Sequence, residues 1–193
     1  RRRRQPHGRR PGRHPRDGEP SGGALCPAQL CRAAHQRDRP ARDPLERALA
    51  LLIDRLLADL AYASGDYAKA LPAYLQALVG NSGDALLYER AGISALQTRN
   101  MGQAVPLLER ATKLPGATWR AWNARGAAAD FRSDWAVADE SYARAAELAP
   151  QRAEVFNNMG WSLLVRGRWP DALTALERAA ALDRKSERIA HNL

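Results

Sequence analysis

Cysteine is almost missing from this chain of 193 residues: Cys26 and Cys31 are the two it has. Two thiols are too few for a disulfide framework, and none lies beyond Cys31, so the rest of the chain should be indifferent to redox compartment. Lysine is scarce too, at 3 against 27 arginines, which suggests a GC-rich coding bias. The four histidines, His7, His14, His35 and His191, are scattered, and the Cys26, Cys31 and His35 group has no second pair to complete a zinc site. No phosphate loop, nucleophile elbow or Gly-rich dinucleotide turn is present. No apolar run approaches the roughly 18 residues needed to span a membrane. The expectation from these gaps is a chain that is not an enzyme, with no cofactor, no metal site, no small-molecule substrate and no transmembrane segment.

The charge is unevenly spread. The net of +9 resides almost wholly in residues 1–44, which hold 12 Arg, no Lys and 4 acids, leaving residues 45–193 close to neutral. This tail of Arg, Pro, Gly and His has almost no β-branched or aromatic side chains, so burial cannot offset its ordering entropy and it is expected to be disordered. Arg1–Arg4 with Arg9, Arg10, Arg13 and Arg16 could neutralise several phosphates or meet another anionic surface. No aromatic residue interleaves to stack on bases, so nucleic acid is not the expected partner. A basic start without the following apolar stretch is no secretory signal, which reads as cytoplasmic. The first methionine is Met101, so the expectation is a true start upstream, a start at another codon, or a chain that is a fragment.

Order is expected from Asp43-Pro44-Leu45-Glu46, where Asp43 suits an N-cap and Pro44 a first helical position. From there the chain repeats. Residues 51–84, 85–118, 119–152 and 153–186 align without gaps. Position 8 reads Ala58, Gly92, Gly126, Gly160; position 20 reads Ala70, Ala104, Ala138, Ala172; position 27 reads Ala77, Ala111, Ala145, Ala179. Small residues at these places let two helices cross closely. Large ones should fill the space beside them: Tyr88, Trp122 and Phe156 at position 4, Tyr74, Leu108, Tyr142 and Leu176 at position 24, and Tyr67, Met101, Trp135 and Trp169 at position 17. The spacing predicts first helices near 44–64, 85–98, 118–131 and 153–165. Second helices follow near 67–80, 101–114, 135–148 and 169–182, and a ninth begins near Ser186.

The order of aromatic, small pair, Ala-x-x-x-large and Pro at a period of 34 resembles the tetratricopeptide repeat. Unit four carries it in Phe156, Met159-Gly160, Gly167, Ala172 and Leu176; unit three in Trp122, Gly126, Ala138, Tyr142, Ala145 and Pro150. The resemblance covers residues 51–193 and implies an all-α, right-handed solenoid of four helix–turn–helix repeats plus a partial C-terminal helix. Its function would be that of a scaffold or adaptor for a protein or peptide ligand. Unit one departs, with Asp54, Ala58 and Ala61 where an aromatic, a glycine and a tyrosine are usual; it is either shifted in register or a capping unit.

A narrower likeness rests on Asn157-Asn158-Met159-Gly160-Trp161-Ser162-Leu163, Gly167-Arg168-Trp169, Ala172-Leu173 and His191-Asn192-Leu193. These resemble the tight-adherence (Flp) pilus assembly repeat proteins of bacteria, which would imply a periplasmic or outer-membrane-anchored protein. Gly23-Ala24-Leu25-Cys26 is no lipobox, since leucine stands where a small residue is needed. Repeat arrays are also appended to transferases, so a recruiting segment of a larger enzyme is the alternative.

In the tetratricopeptide family the first helices line a concave groove, and positions 2, 5, 9 and 12 face into it. The spacing of 3, 4 and 3 places them on one helical stripe in any case. Unit two presents Leu86, Glu89, Ile93 and Leu96. Unit three presents Arg120, Asn123, Ala127 and Asp130, and unit four Glu154, Asn157, Trp161 and Leu164. The ninth helix adds Arg188 and His191. Trp161 is either an interface anchor or a cover for the joint with the ninth helix. Asn158 and Asn192, both at position 6, are where relatives hold a ligand backbone; a structural amide is the other reading. The chaperone-tail clamp of some relatives needs Lys and Asn where Arg55 and Asp59 stand, so a chaperone C-terminus is not the expected ligand.

Overall fold

The computed structural model describes residues 43–193, which form one compact unit. The tail expected to be disordered, its arginines, both cysteines and three of the histidines lie outside the described residues, apart from Asp43 and Pro44 at its end. Among the described residues nine α-helices follow in order: α1 Pro44–Ala63, α2 Tyr67–Gly80, α3 Ala85–Gln97, α4 Met101–Lys113, α5 Trp119–Phe131, α6 Trp135–Leu148, α7 Ala153–Val165, α8 Trp169–Leu182 and α9 Glu187–Asn192. They match the expected spans to within a residue or two. No described helix is long and apolar enough to cross a membrane.

The local chemistry repeats with the sequence. Each antiparallel pair turns at position 15, where Gly65, Arg99, Ser133 and Gly167 all adopt positive φ. The left-handed conformation reverses the chain in the shortest distance, at a cost to the two that are not glycine. Position 16 then caps the second helix. The side chains of Asp66, Asn100 and Asp134 accept from the backbone N–H three residues on, satisfying one of the orphan donors of the first turn. Arg168 has no such side-chain bond. At the other end, Asp43 caps α1 by accepting from the Leu45 N–H, 3.3 Å away.

Within each pair the small residues do what close packing requires. A Cβ on Gly92 would lie 2.7 Å from Leu108, one on Gly126 2.8 Å from the Tyr142 ring, and one on Gly160 2.6 Å from Leu176. Position 8 of the first helix is thus the hole for position 24 of the second. All four position-24 side chains are buried, and so are the alanines at positions 20 and 27. Successive pairs stack into a right-handed solenoid in which first helices touch one another from α3 onward, while second helices of neighbouring units make no comparable contact. The first helices therefore form the inner, concave side.

One expectation needs correction, and one pair of alternatives narrows. Position 17 is not a core position: Trp169 is 65 % exposed, while Trp135, Met101 and Tyr67 are half-buried. It is the first residue of each second helix and sits at the turn rather than at the crossing. Trp135 shares a pocket with Asn158, Trp161, Ser162 and Val165 from α7 of the next unit. Unit one, in turn, keeps the register of the others, with Ala58 and Tyr74 both fully buried. Its α1 differs in its outer face. Ile53, Leu57 and Leu60 are exposed, although positions 3 and 10 are buried in all three following units.

Candidate functional site

The first helices carry polar groups that join one unit to the next. Asn158 donates from Nδ2 to Oδ1 of Asn123 at 3.2 Å, and Asn192 donates to Asn157 at 2.8 Å. Both pairs link position 6 to position 5 of the preceding unit. Asn157 also donates to Asn158 at 3.4 Å, so the amides form a short ladder across α5, α7 and α9. Asn123 and Asn157 are buried in it, while Asn158 and Asn192 are half-buried. In the units before, Glu89 takes the place of the amide: it is buried and accepts from the Thr118 hydroxyl at the start of α5. Arg55 pairs with Asp84 at 3.0 Å, and Asp59 accepts from Tyr74 and from Arg90, so both side chains are engaged within the scaffold.

The remaining stripe residues divide by exposure. Arg120, Glu154, Trp161 and Arg188 are exposed; Leu86, Ile93, Leu96, Ala127, Asp130 and Leu164 are half-buried. Three of the named residues, Asp130, Asn158 and Trp161, come together with Ala127 in one pocket of about 280 Å³. Its other walls are Phe131, Trp135, Tyr142, Ser162 and Val165. Phe131 and Val165 occupy position 13, one turn beyond the position-9 pair Ala127 and Trp161. The i, i+4 spacing was the signal that could have extended the stripe. Trp135 comes from the second helix of unit three, which a stripe read along first helices alone does not reach. Exposure of Phe131 (65 %), Trp161 (54 %) and Val165 (61 %) makes the rim apolar and open to solvent.

Asp130 is the charged group of this pocket. Its two carboxylate oxygens each accept one hydroxyl, from Ser162 at 2.6 Å and from Tyr142 at 2.8 Å. Among the described residues it has no ion-pair partner. Burial raises its pKa above the ordinary carboxylate value against the pull of both hydroxyls and of Arg166. Burial likewise raises Glu89, opposed chiefly by Thr118, and it raises the Tyr142 phenol, aided by the neighbouring Asp130. Arg166 is occupied elsewhere: its Nη2 and Nη1 bind Asp139 at 2.6 and 3.0 Å, and its guanidinium lies 5.4 Å from the centre of the Trp135 ring.

The raised carboxyls set a pH dependence. A folded pKa above the unfolded one means that the native state binds the extra proton, so stability rises as pH falls through the folded values of Asp130 and Glu89. The gain is complete near the ordinary values of 3.8 and 4.5. Asp139, held low by the Arg166 hydrogen bonds, loses its contribution only below 3.8. The thermal midpoint is therefore expected to climb from neutral to mildly acidic pH and then drop. A Glu89→Gln, Asp130→Asn double variant should lose the climb and keep the drop, which calorimetry across pH would show.

Comparison with known proteins agrees with this architecture. The sequence model of the tetratricopeptide repeat matches residues 41–85, 55–116 and 124–188. Among solved structures, YrrB, described as a TPR protein with an unusual peptide-binding site, superposes with a TM-score of 0.64 at 20 % identity, covering 85 % of this chain and 87 % of its own. MamA superposes with a TM-score of 0.62 at 18 % identity, covering 70 % of this chain and 79 % of its own. At such identities the likeness speaks for the fold. No curated protein matches the sequence. With matches across more than half the chain, the 34-residue period and the glycine-to-position-24 packing seen in three of the four units, the chain belongs to the tetratricopeptide-repeat family.

Proposed function

We propose that this protein is a non-catalytic adaptor whose concave face binds a peptide segment or partner subunit, with the pocket between α5, α6 and α7 as its anchor point. The observation that carries this reading is the open pocket rimmed by Phe131, Trp161 and Val165 on the inner face. Aromatic side chains left half in water on a concave surface are where interface energy concentrates. The peptide-binding site named for YrrB, a protein of the same fold, is in keeping with it. The remaining groove residues, Leu86, Glu89, Ile93, Leu96, Arg120, Asn123, Glu154, Asn157, Asn158, Leu164, Arg188 and Asn192, would shape and orient the ligand on either side. The amide ladder favours a structural share for the four asparagines.

The test is selection of ligands from a displayed peptide library on the full chain, followed by affinity measurement on Trp161→Ala and Phe131→Ala. An anchor of about 2 kcal/mol predicts a loss near 30-fold for each. Selected peptides that bind both variants as tightly as the parent would move the site off the concave face. The pilus-assembly reading rests on the Asn157–Leu163 segment and its flanks. It predicts that natural partners captured from bacterial envelope extract and lost by Trp161→Ala are pilus or secretion components. Capture of transferase or other catalytic subunits in the same way would favour the recruiting segment of a larger enzyme instead.

A further inference from the structure

We infer that the pocket on the inner face selects a cationic side chain, so that the ligand is a basic peptide anchored by arginine or lysine; this rests on the groove reading above and specifies its chemistry. The decisive feature is Asp130. It lies at the pocket between aromatic walls, takes one hydroxyl on each oxygen, and has no cation within ion-pairing distance among the described residues. A carboxylate offers about four acceptor sites, so lone pairs remain for an incoming donor. Of the other polar side chains there, both hydroxyls and one amide N–H are already engaged. The Ser162 and Tyr142 hydroxyls donate to Asp130, and the Asn158 Nδ2 donates to Asn123.

Consider the two kinds of occupant. An apolar side chain would strip water from Asp130 and return nothing, so burial of the carboxylate would oppose the packing gained. A guanidinium or ammonium would supply a charge-assisted hydrogen bond to the same oxygens and place its charge beside the faces or edges of Trp161 and Phe131. The surrounding charges do not reverse this preference. Arg166 is the nearest cation, and Asp139 holds it at two points. Arg168 adds a second cation, which pairs with Asp171 at 2.6 Å and approaches Asp139 at 3.6 Å. Both guanidiniums are thus held by carboxylates other than Asp130, and Asp130 is the carboxylate that lines the pocket. The fold also places one guanidinium on this aromatic wall already, that of Arg166 over Trp135.

The probes are four capped tripeptides, acetyl-Gly-X-Gly-amide, with X arginine, lysine, citrulline or norleucine. Each is titrated into the full ¹⁵N-labelled chain while the indole N–H resonances of Trp135 and Trp161 are followed. Arginine and lysine peptides are expected to shift both resonances saturably. Citrulline, of the same shape without the charge, should bind at least about fivefold more weakly. Asp130→Asn should erase that preference, with an unchanged circular dichroism spectrum, and raised salt should weaken the arginine and lysine peptides but not the two uncharged ones. Citrulline or norleucine binding as well as arginine would overturn the inference and leave the groove reading standing. A preference that survives in Asp130→Asn would overturn it too, since the selectivity would then arise elsewhere. If no tripeptide shifts either resonance the inference falls. The groove reading then falls with it only if library-selected peptides also ignore Trp161→Ala.

Discussion

Replacing Gly126 with valine is expected to remove about 3 kcal/mol of stability, a large share of the 5–15 kcal/mol that holds an ordinary domain together. The first new carbon alone would sit 2.8 Å from two atoms of the Tyr142 ring and 3.0 Å from a third. That ring cannot swing aside freely, because it is buried and its hydroxyl is bonded to Asp130. Unit one shows what accommodating a Cβ entails. There position 8 is Ala58, and the equivalent Tyr74 sends its hydroxyl to Asp59 at position 9 rather than to position 12. Gly102 serves as the control. Its would-be Cβ meets nothing nearer than the Asn100 side chain at 3.8 Å, so Gly102→Ala should gain up to about 0.5–1 kcal/mol from reduced backbone entropy. Denaturant unfolding of the two variants decides the matter. A Gly126→Val protein as stable as its parent would mean that α5 and α6 do not cross as closely as described.

Tyr142→Ala should cost still more, about 3–5 kcal/mol, the range for deleting a large buried aromatic side chain. Tyr142 is 2 % exposed, fills the hole at Gly126 and supplies a wall of the ligand pocket. Its truncation therefore opens a cavity that runs into that pocket. Tyr142→Phe separates packing from hydrogen bonding. The ring stays, one hydroxyl donor to Asp130 goes, and the expected loss is about 1 kcal/mol. Without that donor the Asp130 carboxyl should also titrate higher than it does in the parent. Equal losses for the two variants would show that the hydroxyl, not the ring volume, is what unit three depends on.

How much of this was readable beforehand differs between the scaffold and the pocket. The helices and turns were legible because their causes are local. Position 15 must reverse the chain, position 16 must cap, and position 8 must be small, and each leaves its mark every 34 residues. Trp135 and Trp169 occupy the same register position and were expected to pack alike, yet Trp135 is half-buried and Trp169 is exposed. The stripe rule found Asp130 and Trp161, and the family's position 6 pointed to Asn158, but neither reached Phe131, Val165 or Trp135, which complete the walls. Asn158 could not be divided between ligand contact and structural amide, because its partner Asn123 stands 35 residues away.

The sequence by itself determined the repeat, its helix boundaries, the small-for-large exchange inside each helix pair and the family to which the chain belongs. These depend on backbone preferences and on residues close along the chain, so their pattern survives in one dimension. Only the tertiary structure decided which polar residues pair across units, which tryptophans line the pocket, and that Asp130 has no ion-pair partner there among the described residues. Those outcomes arise where side chains from three helices meet. There a group's burial and charge balance are set by neighbours that no spacing rule brings together.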